Sequence, residues 1–212
     1  MQKRSQSTLE PRKSPVQARS AASVEAILKA TIQVLLKIGK DRLTTTRVAA
    51  RAGVSVGTLY QYFPNKSALL RAVLQRHMDE IGSAMETACR EQTGSSLEKM
   101  ATALVTSFLA AKMKDAKASV ALYAVSSDVD GARISREMSQ KANRAIVAML
   151  ATAKDELKTD PQLVASMMQA TLAGVSRRLL ESPSPESDYE KLRAELVFLV
   201  RTYLHACSKN RA

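Results

Sequence analysis

The sequence predicts an all-α protein, and three observations support this fold class. Only six prolines and seven glycines occur in the 212 residues, so few positions break a helix. Alanine, leucine, lysine, glutamate and methionine are plentiful, and all five are strong helix formers. The periodic apolar patterns have helical spacing, and no segment alternates as a strand would. The length suits one large domain, or a small domain followed by a medium-sized one.

The first helix is predicted from about Ala22 onward. Its apolar face is formed by residues that recur at i, i+3, i+4, i+7, i+8 and i+11. These residues are Ile27, Ala30, Thr31, Val34, Leu35 and Ile38. Gly39 follows at the position where a glycine commonly ends a helix. We therefore expect an amphipathic helix that stops at this glycine.

Three further helix starts follow in close succession. One of the threonines in the range 44–46 is predicted to cap a short second helix, which Gly53 breaks. Ser55 is predicted to cap a short third helix. Asn65 then caps a fourth helix over 66–91, whose length of about 40 Å is enough to connect two parts of a molecule.

Five more helices are predicted in the remainder of the chain. Glycine, proline and acidic turn residues mark the breaks between them. One start is especially clear, because Asp160 can cap a helix that has Pro161 at its first position. The expected spans are about 96–112, 115–127, 132–157, 161–181 and 187–207.

Positive charge is concentrated in the first third of the chain. Residues 1–80 carry 14 lysines and arginines against 5 acidic residues, whereas residues 81–212 carry 18 against 15. Such an excess favours a polyanionic partner, either nucleic acid or an anionic membrane surface, over a merely solvated face. Residues 1–20 are polar and basic, and we expect them to form a flexible basic arm.

The sequence offers no recognisable metal or redox motif. Cys89 and Cys207 are far apart, as are His77 and His205, and no pair has the spacing of a metal site. We expect no metal or cofactor, and two reduced thiols in a cytoplasmic protein. Residues 1–20 lack the apolar core of a secretory signal, and no apolar run is long enough to span a bilayer.

The stretch TTTRVAARAGVSVGTLYQYFPNKSALL, residues 44–70, predicts a helix-turn-helix. Small alanines let two short helices approach closely, and Gly53 allows the positive φ of a tight turn. The second of these helices is the one that enters a major groove, with Leu59 and Phe63 facing the core. Its exposed residues are then expected to be Ser55, Val56, Gly57, Thr58 and Gln61.

Two tyrosines in this stretch suit contacts with phosphate. Tyr60 and Tyr62 combine a flat apolar body with a hydroxyl that can reach a phosphate oxygen. Lys66 adds positive charge at the start of the next helix, where backbone amides already favour an anion. The alternative is that the aromatic rings seal a small core, and we expect Tyr60 to do so in part.

These residues resemble the signature of the tetracycline-repressor (TetR) family of bacterial transcription regulators. The stretch LTTTRVAARAGVSVGTLYQYFPNKSALL agrees with it at most positions, and the likeness extends over about residues 19–74. Val48 departs from it, because isoleucine or leucine is commoner there. The resemblance implies a three-helix DNA-binding domain at 21–66, after the arm, and a helical ligand-binding and dimerisation domain at 67–212.

The resemblance also implies DNA-binding roles by position. The start of the second helix matches a segment that touches phosphates and sometimes bases, the third helix matches the recognition helix, and the residues after it match phosphate ligands. The residues assigned in this way are Thr45, Thr46, Arg47, Ser55, Val56, Gly57, Thr58, Tyr60, Gln61, Tyr62 and Lys66. Direct readout is expected from Gln61, threonine methyl groups and Arg47.

The last two helices are expected to form a homodimer. A two-fold dimer reads two half-sites, and the resemblance implies that two helices from each subunit meet. Small residues on one helix permit a close crossing, and the other offers large apolar ones. The expected interface residues are Leu163, Ala170, Gly174, Leu192, Leu196, Leu199 and Tyr203. The alternative is that both faces pack only within the chain.

The middle helices are expected to enclose a ligand pocket. Seven of the nine methionines lie at or after residue 85, and methionine fills irregular space and tolerates varied ligands. Each of them also suits an ordinary core. The candidate lining residues are Phe108, Met113, Tyr123, Met138, Met149 and Met167. Their character favours a hydrophobic or aromatic small molecule.

The function predicted from these features is that of a transcriptional repressor, which a small molecule releases from a palindromic operator in double-stranded DNA. The alternatives are an activator, an architectural DNA-binding protein without a ligand, and an all-helical enzyme. The enzyme is the least favoured, because no Gly-x-Ser-x-Gly, paired-histidine or phosphate-loop motif occurs. A fully packed C-terminal core would favour the architectural protein.

Overall fold

Nine α-helices and no strand occur in the part of the chain that the structure describes, which confirms the all-α prediction. The structure, a computed structural model, describes residues 15–208, with side chains from residue 20 onward. The helices are α1 Pro15–Arg42, α2 Thr45–Ala52, α3 Val56–Tyr62, α4 Lys66–Glu91, α5 Leu97–Met113, α6 Ala116–Val125, α7 Gly131–Leu150, α8 Pro161–Leu180 and α9 Pro185–Ser208.

The chain divides into two compact units between Leu69 and Leu70. The division expected from the sequence lies three residues earlier, after residue 66. The first unit contains α1, α2, α3 and the first turn of α4. The second contains the rest of α4 and the five helices that follow, with a 3-10 turn at Ser126–Asp128 between α6 and α7.

Helix α1 begins earlier than the sequence predicted. Residues 15–20, expected to belong to a flexible arm, are helical, and the helix starts at Pro15. Proline is favoured at the first helical position, because its φ suits the helix and an N–H there has no intrahelical partner. The rest of the expected arm, residues 1–14, lies outside the described residues. Gly39 interrupts α1 with φ 77° and ψ 169°, so the predicted break is confirmed.

The core of the first unit follows the predicted apolar face of α1. Ile27, Val34 and Leu35 are buried on this face, and the buried hydroxyl of Thr31 donates to the Ile27 carbonyl over 2.7 Å. That bond satisfies a polar group that would otherwise destabilise the core. Helix α2 packs on α1 and α3 packs on α2, and Leu59 of α3 is completely buried.

Helix α5 lies at the centre of the second unit, where it contacts α6, α7, α8 and α9. Its buried face is mainly apolar and includes Met100, Leu104 and Phe108. One charged side chain, Lys112, is buried on the same helix. Helices α8 and α9 pack on each other, and α7 packs on α8.

Helix α7 ends earlier than the sequence predicted. Its expected span of 132–157 was wrong at the C-terminal end, because the helix stops at Leu150. The following residues bind the segment before α5 instead. The Gly94 N–H donates to the Thr152 hydroxyl over 2.9 Å, and the Leu97 N–H donates to the Asp155 carboxylate over 2.9 Å. The second contact satisfies a backbone donor in the first turn of α5 that has no partner within that helix.

The two cysteines are buried thiols in the second unit. Burial and, second, the nearby Glu86 carboxylate raise the pKa of the Cys89 thiol to about 11, so this thiol is protonated near neutral pH. No group of three His, Cys, Asp or Glu side chains among the described residues could hold a metal ion. Within residues 15–208, no helix is both long and apolar enough to cross a membrane.

Candidate DNA-binding site

Two capped helix ends shape the helix-turn-helix. The Thr44 hydroxyl accepts a hydrogen bond from the Arg47 N–H and so caps α2, as the sequence predicted. Gly53 ends α2 in the left-handed region, with φ 70° and ψ 30°. Its N–H donates to the Ala50 carbonyl over 3.3 Å, and the Val54 N–H donates to the Ala49 carbonyl over 3.1 Å. Because a residue with a Cβ is strained at this φ, glycine is needed for the turn.

Helix α3 presents one face to the core and the other to solvent. The Ser55 hydroxyl caps it by accepting from the Thr58 N–H over 2.9 Å. Leu59 and Phe63 are buried, as predicted from their spacing. On the other side, four of the predicted groove-facing residues are exposed and Thr58 is half-buried. The exposed four are Ser55, Val56, Gly57 and Gln61.

Gly57 has no structural reason to be a glycine. Its φ lies outside the positive region, and a Cβ added there would meet only the Ser55 hydroxyl oxygen, at 3.7 Å. A glycine inside a helix costs about 0.5–1 kcal/mol relative to alanine. A glycine that the fold does not require fits a surface that another molecule must approach closely.

Tyr60 joins α3 to the start of α2. Its hydroxyl lies 3.1 Å from the hydroxyl of Thr45, and its side chain is 48% exposed. The ring is therefore less buried than the sequence prediction of a partial core role implied. Tyr60 and Thr45 were each predicted to bind phosphate, and the structure places their hydroxyls side by side.

Lys66 contacts a backbone carbonyl that the sequence gave no reason to expect. Its ammonium donates to the Lys40 carbonyl over 2.5 Å and so ties the start of α4 to the segment after Gly39. Asn65 caps α4 by accepting from the Ala68 N–H over 2.8 Å. An ammonium has three hydrogens, so Lys66 can bind a phosphate while it keeps this contact.

Exposed arginines accompany the predicted residues. Arg47 is exposed, and its guanidinium donates to the Arg42 carbonyl over 2.6 Å. Arg51 is also exposed and donates to the Gln33 side chain over 2.7 Å. Sequence reasoning did not select Arg51, which the structure adds as a candidate. Its place four residues after Arg47, on the same side of α2, is the signal that could have identified it.

A cavity of about 90 Å³ lies inside the second unit. Three of the six predicted pocket residues line it: Phe108, Tyr123 and Met138. Met113 and Met149 are not among its lining residues, and Met167 is exposed elsewhere on α8. Sequence reasoning missed four polar residues that do line it: Lys112, Ser135, Ser139 and Gln169.

The outer face of α8 and α9 carries a groove of about 590 Å³. Four of the predicted interface residues line this groove, namely Leu192, Leu196, Leu199 and Tyr203. Leu196 is buried within the subunit, so it also serves the core. Leu163, Ala170 and Gly174 are exposed on α8. Phe198, which the sequence reasoning did not select, is the most exposed large apolar residue described, at 66%.

Two protein-family models match this chain, one in its N-terminal region and one in its C-terminal region. A family model described as "Bacterial regulatory proteins, tetR family" matches residues 27–73. A second, described as "Tetracyclin repressor-like, C-terminal domain", matches residues 96–204 and thus about half of the chain.

Two curated relatives match over a short part of the chain. The HTH-type transcriptional repressor KstR of Rhodococcus jostii is 46% identical over 57 residues, which are 27% of this chain and 27% of that protein. The HTH-type transcriptional activator FasR of Mycolicibacterium smegmatis is 40% identical over 67 residues, 32% of this chain and 31% of that protein. The chain spans only about a third of the length of the curated relatives it matches.

The whole fold has counterparts among solved structures. A TetR-family transcriptional regulator from Streptomyces coelicolor superimposes with a TM-score of 0.61 at 22% identity, covering 87% of this chain and 99% of that one. This likeness concerns the fold, whereas the two family models concern the sequence itself. The two family models and the helix-turn-helix geometry agree with what the N-terminal residues indicated. The chain therefore belongs to the tetR family of bacterial regulatory proteins.

Proposed function

We propose that this protein is a homodimeric transcriptional repressor that binds a palindromic operator through α3 and releases it when a small molecule occupies the second unit. The exposed face of α3 is the observation that supports DNA binding. There, short side chains and an otherwise unneeded Gly57 surround Gln61, while Leu59 holds the opposite face in the core. A face of this kind suits a helix that lies in a major groove.

The polar residues around α3 divide into two groups by chemistry. The first group carries hydroxyls or positive charge suited to contacts with phosphate oxygens, and such contacts position a protein on DNA. Its members are Thr45, Thr46, Tyr60, Tyr62 and Lys66. Gln61 can form a bidentate pair with adenine, and Arg47 can pair with guanine, so these two are suited to read bases. We expect Val56 and Thr58 to contribute apolar contacts with thymine methyl groups.

The outer face of α8 and α9 supports the dimer. Leu163, Met167, Phe198 and Leu199 are all large, apolar and exposed in a single subunit. Exposed apolar groups that form a contiguous patch mark interaction sites. A second copy of the chain is the occupant that fits best, because two half-sites of a palindrome require two copies of α3.

The cavity supports a ligand rather than a purely architectural role. Two of its lining residues, Met78 and Met85, lie on α4, the helix that begins at Lys66. A ligand that prefers one position of α4 would shift the protein toward that state. The two α3 helices of a dimer would then no longer match half-sites spaced about 34–36 Å apart.

Repression is the sign of regulation we favour, and activation is the second candidate. Of the two relatives compared above, one is named a repressor and the other an activator. We place the protein in the cytoplasm, where a bacterial regulator meets the chromosome, and assign it no enzymatic activity.

Selection from a random duplex library at about physiological salt tests the proposal. The purified protein is incubated with the library, and the retained duplexes are sequenced. A two-fold palindrome is the expected result, since a dimer presents two equivalent α3 helices. Retention without sequence preference would support an architectural protein, and an asymmetric single site would contradict the dimer.

The Lys66→Gln variant is expected to bind every duplex more weakly and to lower the salt slope of log K by about one unit. A phosphate contact releases about 0.9 counterion on double-stranded DNA, and glutamine removes the charge while it keeps donors for the Lys40 carbonyl. Fluorescence anisotropy across a salt series measures the slope. The matched control is Lys117→Gln on α6, an exposed lysine outside the site. An unchanged slope would show that Lys66 serves only the fold.

The Gln61→Ala variant is expected to relax the base preference at one position in each half-site. A bidentate pair between an amide and adenine is worth about 1–3 kcal/mol of discrimination, whereas phosphate contacts carry none directly. Competition between the selected palindrome and its single-base variants measures this preference. Equal weakening on all duplexes would instead assign Gln61 to the backbone.

A further inference from the structure

Lys112 is a buried ammonium on the wall of the cavity. Lys112 is 3% exposed and lies near the C-terminal end of α5. The ammonium donates to the Tyr123 hydroxyl over 2.7 Å and lies 4.7 Å from the centre of the Tyr123 ring. A lysine is almost never fully buried unless it has a partner.

No carboxylate among the described residues pairs with Lys112. Against the larger lowering by burial, two acidic groups raise the pKa of the neighbouring His77, and both have other partners. Asp115 accepts from the Ala118 N–H over 2.8 Å, and Glu80 pairs with Arg76 over 3.2 Å. The charge of Lys112 is therefore met only by a neutral hydroxyl and by aromatic rings, a costly arrangement for a buried ion.

His77 cannot supply the missing negative charge. Burial lowers the pKa of its imidazole, and the Lys112 ammonium lowers this pKa further. The Ser119 hydroxyl lies 3.1 Å from the His77 ring nitrogen Nε2 and donates its hydrogen to the Lys112 carbonyl over 2.9 Å. The Lys112 carbonyl on α5 is thereby bonded to α6, and the contact with the Tyr123 hydroxyl, also on α6, holds the ammonium itself.

The rest of the cavity is mainly apolar. Met78, Met85, Phe108, Met138 and Leu172 line it beside Lys112 and Tyr123. The Tyr123 hydroxyl accepts from Lys112, so its own hydrogen can be donated to an occupant. The Lys112 ammonium and the Tyr123 hydroxyl thus converge at one place in the pocket, whose other polar lining residues are Ser135, Ser139 and Gln169. The pocket of about 90 Å³ is smaller than the roughly 300–1,000 Å³ of most ligand sites, which favours a small molecule.

We propose that the cavity binds a small organic carboxylate, whose anionic group lies against Lys112 and Tyr123 and whose apolar body lies among the methionines. This inference rests on the proposed function, because it names the chemical class of the effector. A single ammonium and a hydroxyl suit a monoanion. A phosphate dianion is a poorer match, since no arginine occurs among the described residues that line the cavity.

Calorimetric titration of the whole protein, without DNA, tests the charge preference. Benzoate, phenylacetate and hexanoate are each compared with the corresponding neutral amide, and phenyl phosphate is added as the dianion. At least one carboxylate should bind about tenfold or more tightly than its amide, as one charge-assisted contact predicts. Equal affinity for acid and amide, preference for phenyl phosphate, or no binding by any of them would overturn the proposal.

The Lys112→Met variant adds a readout that needs no ligand. Replacing a buried, uncompensated charge with an apolar chain of similar length is neutral or stabilising, so its Tm should equal or exceed that of the wild type. It should also lose the preference for the acid, whereas the exposed neighbour variant Lys114→Met should retain it. A Tm several degrees lower, or a preserved preference, would contradict the proposal.

These measurements separate the effector from the operator. Binding of a carboxylate is measured without DNA, so a positive result supports the effector class even when duplex selection yields no palindrome. A selected palindrome combined with no carboxylate preference would leave DNA binding intact and remove only the proposed effector class.

Discussion

Replacing Phe198 and Leu199 together by glutamate is expected to abolish specific operator binding while the fold is preserved. The two side chains are 66% and 49% exposed in a single subunit, so glutamates there remain in water when the subunit folds alone. In the proposed dimer they would become four buried carboxylates with no partners, which is strongly unfavourable. Affinity for the palindrome should fall toward the non-specific level, by about a thousandfold or more.

Sedimentation velocity and fluorescence anisotropy measure the two parts of this expectation. The double variant should sediment as a monomer and retain its helical circular dichroism. The matched control is Val120→Glu on α6, where an apolar residue of similar exposure lies outside the α8–α9 groove. A double variant that still dimerises and binds the palindrome would exclude this face as the interface.

Replacing Gly57 by alanine is expected to separate stability from DNA binding. A Cβ at this position meets only the Ser55 hydroxyl oxygen, at 3.7 Å, so nothing in the protein opposes it. Alanine should stabilise α3 by up to about 1 kcal/mol through helix propensity. The same methyl group would prevent α3 from approaching the bases as closely, and operator affinity should fall about tenfold or more, a change of about 1.4 kcal/mol.

Gly53→Ala provides the contrast. Gly53 has φ +70°, a region that costs a residue with a Cβ about 1–2 kcal/mol. That variant should lose stability, and its DNA binding should weaken only as its fold does. Thermal unfolding and anisotropy on the selected palindrome measure both variants. Wild-type affinity in Gly57→Ala would mean that the glycine is not required for close approach to DNA.

The helix-turn-helix could be predicted because its determinants are local in the sequence. Thr44, Gly53 and Ser55 each act on residues within four positions, through a cap or a single φ. Leu59 and Phe63 follow from one turn of helix. The exposed residues of α3 then follow by exclusion, so the exposed face of this candidate site could be predicted before the fold was known.

Other features depend on residues far apart in the chain, and the sequence did not reveal them. The contact between Lys66 and the Lys40 carbonyl joins positions 26 residues apart. The early end of α7 depends on bonds between residues near 95 and others 58 positions later. Neither pairing leaves a periodic pattern, so helix propensity alone extended α7 too far.

The pocket and the proposed dimer face could be predicted only in part, for a different reason. Periodicity identifies an apolar residue on a helix face, but it does not say which helix covers that face. Met138 and Met167 have the same character, yet one lines the cavity and the other is exposed on α8. Lys112 was missed because the candidates were chosen among methionine and aromatic residues, whereas the structure buries this lysine on α5.

Dimethyl sulfate protection on the selected palindrome tests the central claim, that α3 reads bases in the major groove as one of a symmetric pair. The reagent methylates guanine N7 in the major groove and adenine N3 in the minor groove. We expect two patches of protected guanine N7, related by two-fold symmetry and centred about one helical turn or a multiple of it apart. Protection of adenine N3 alone, or a single patch without symmetry, would contradict it.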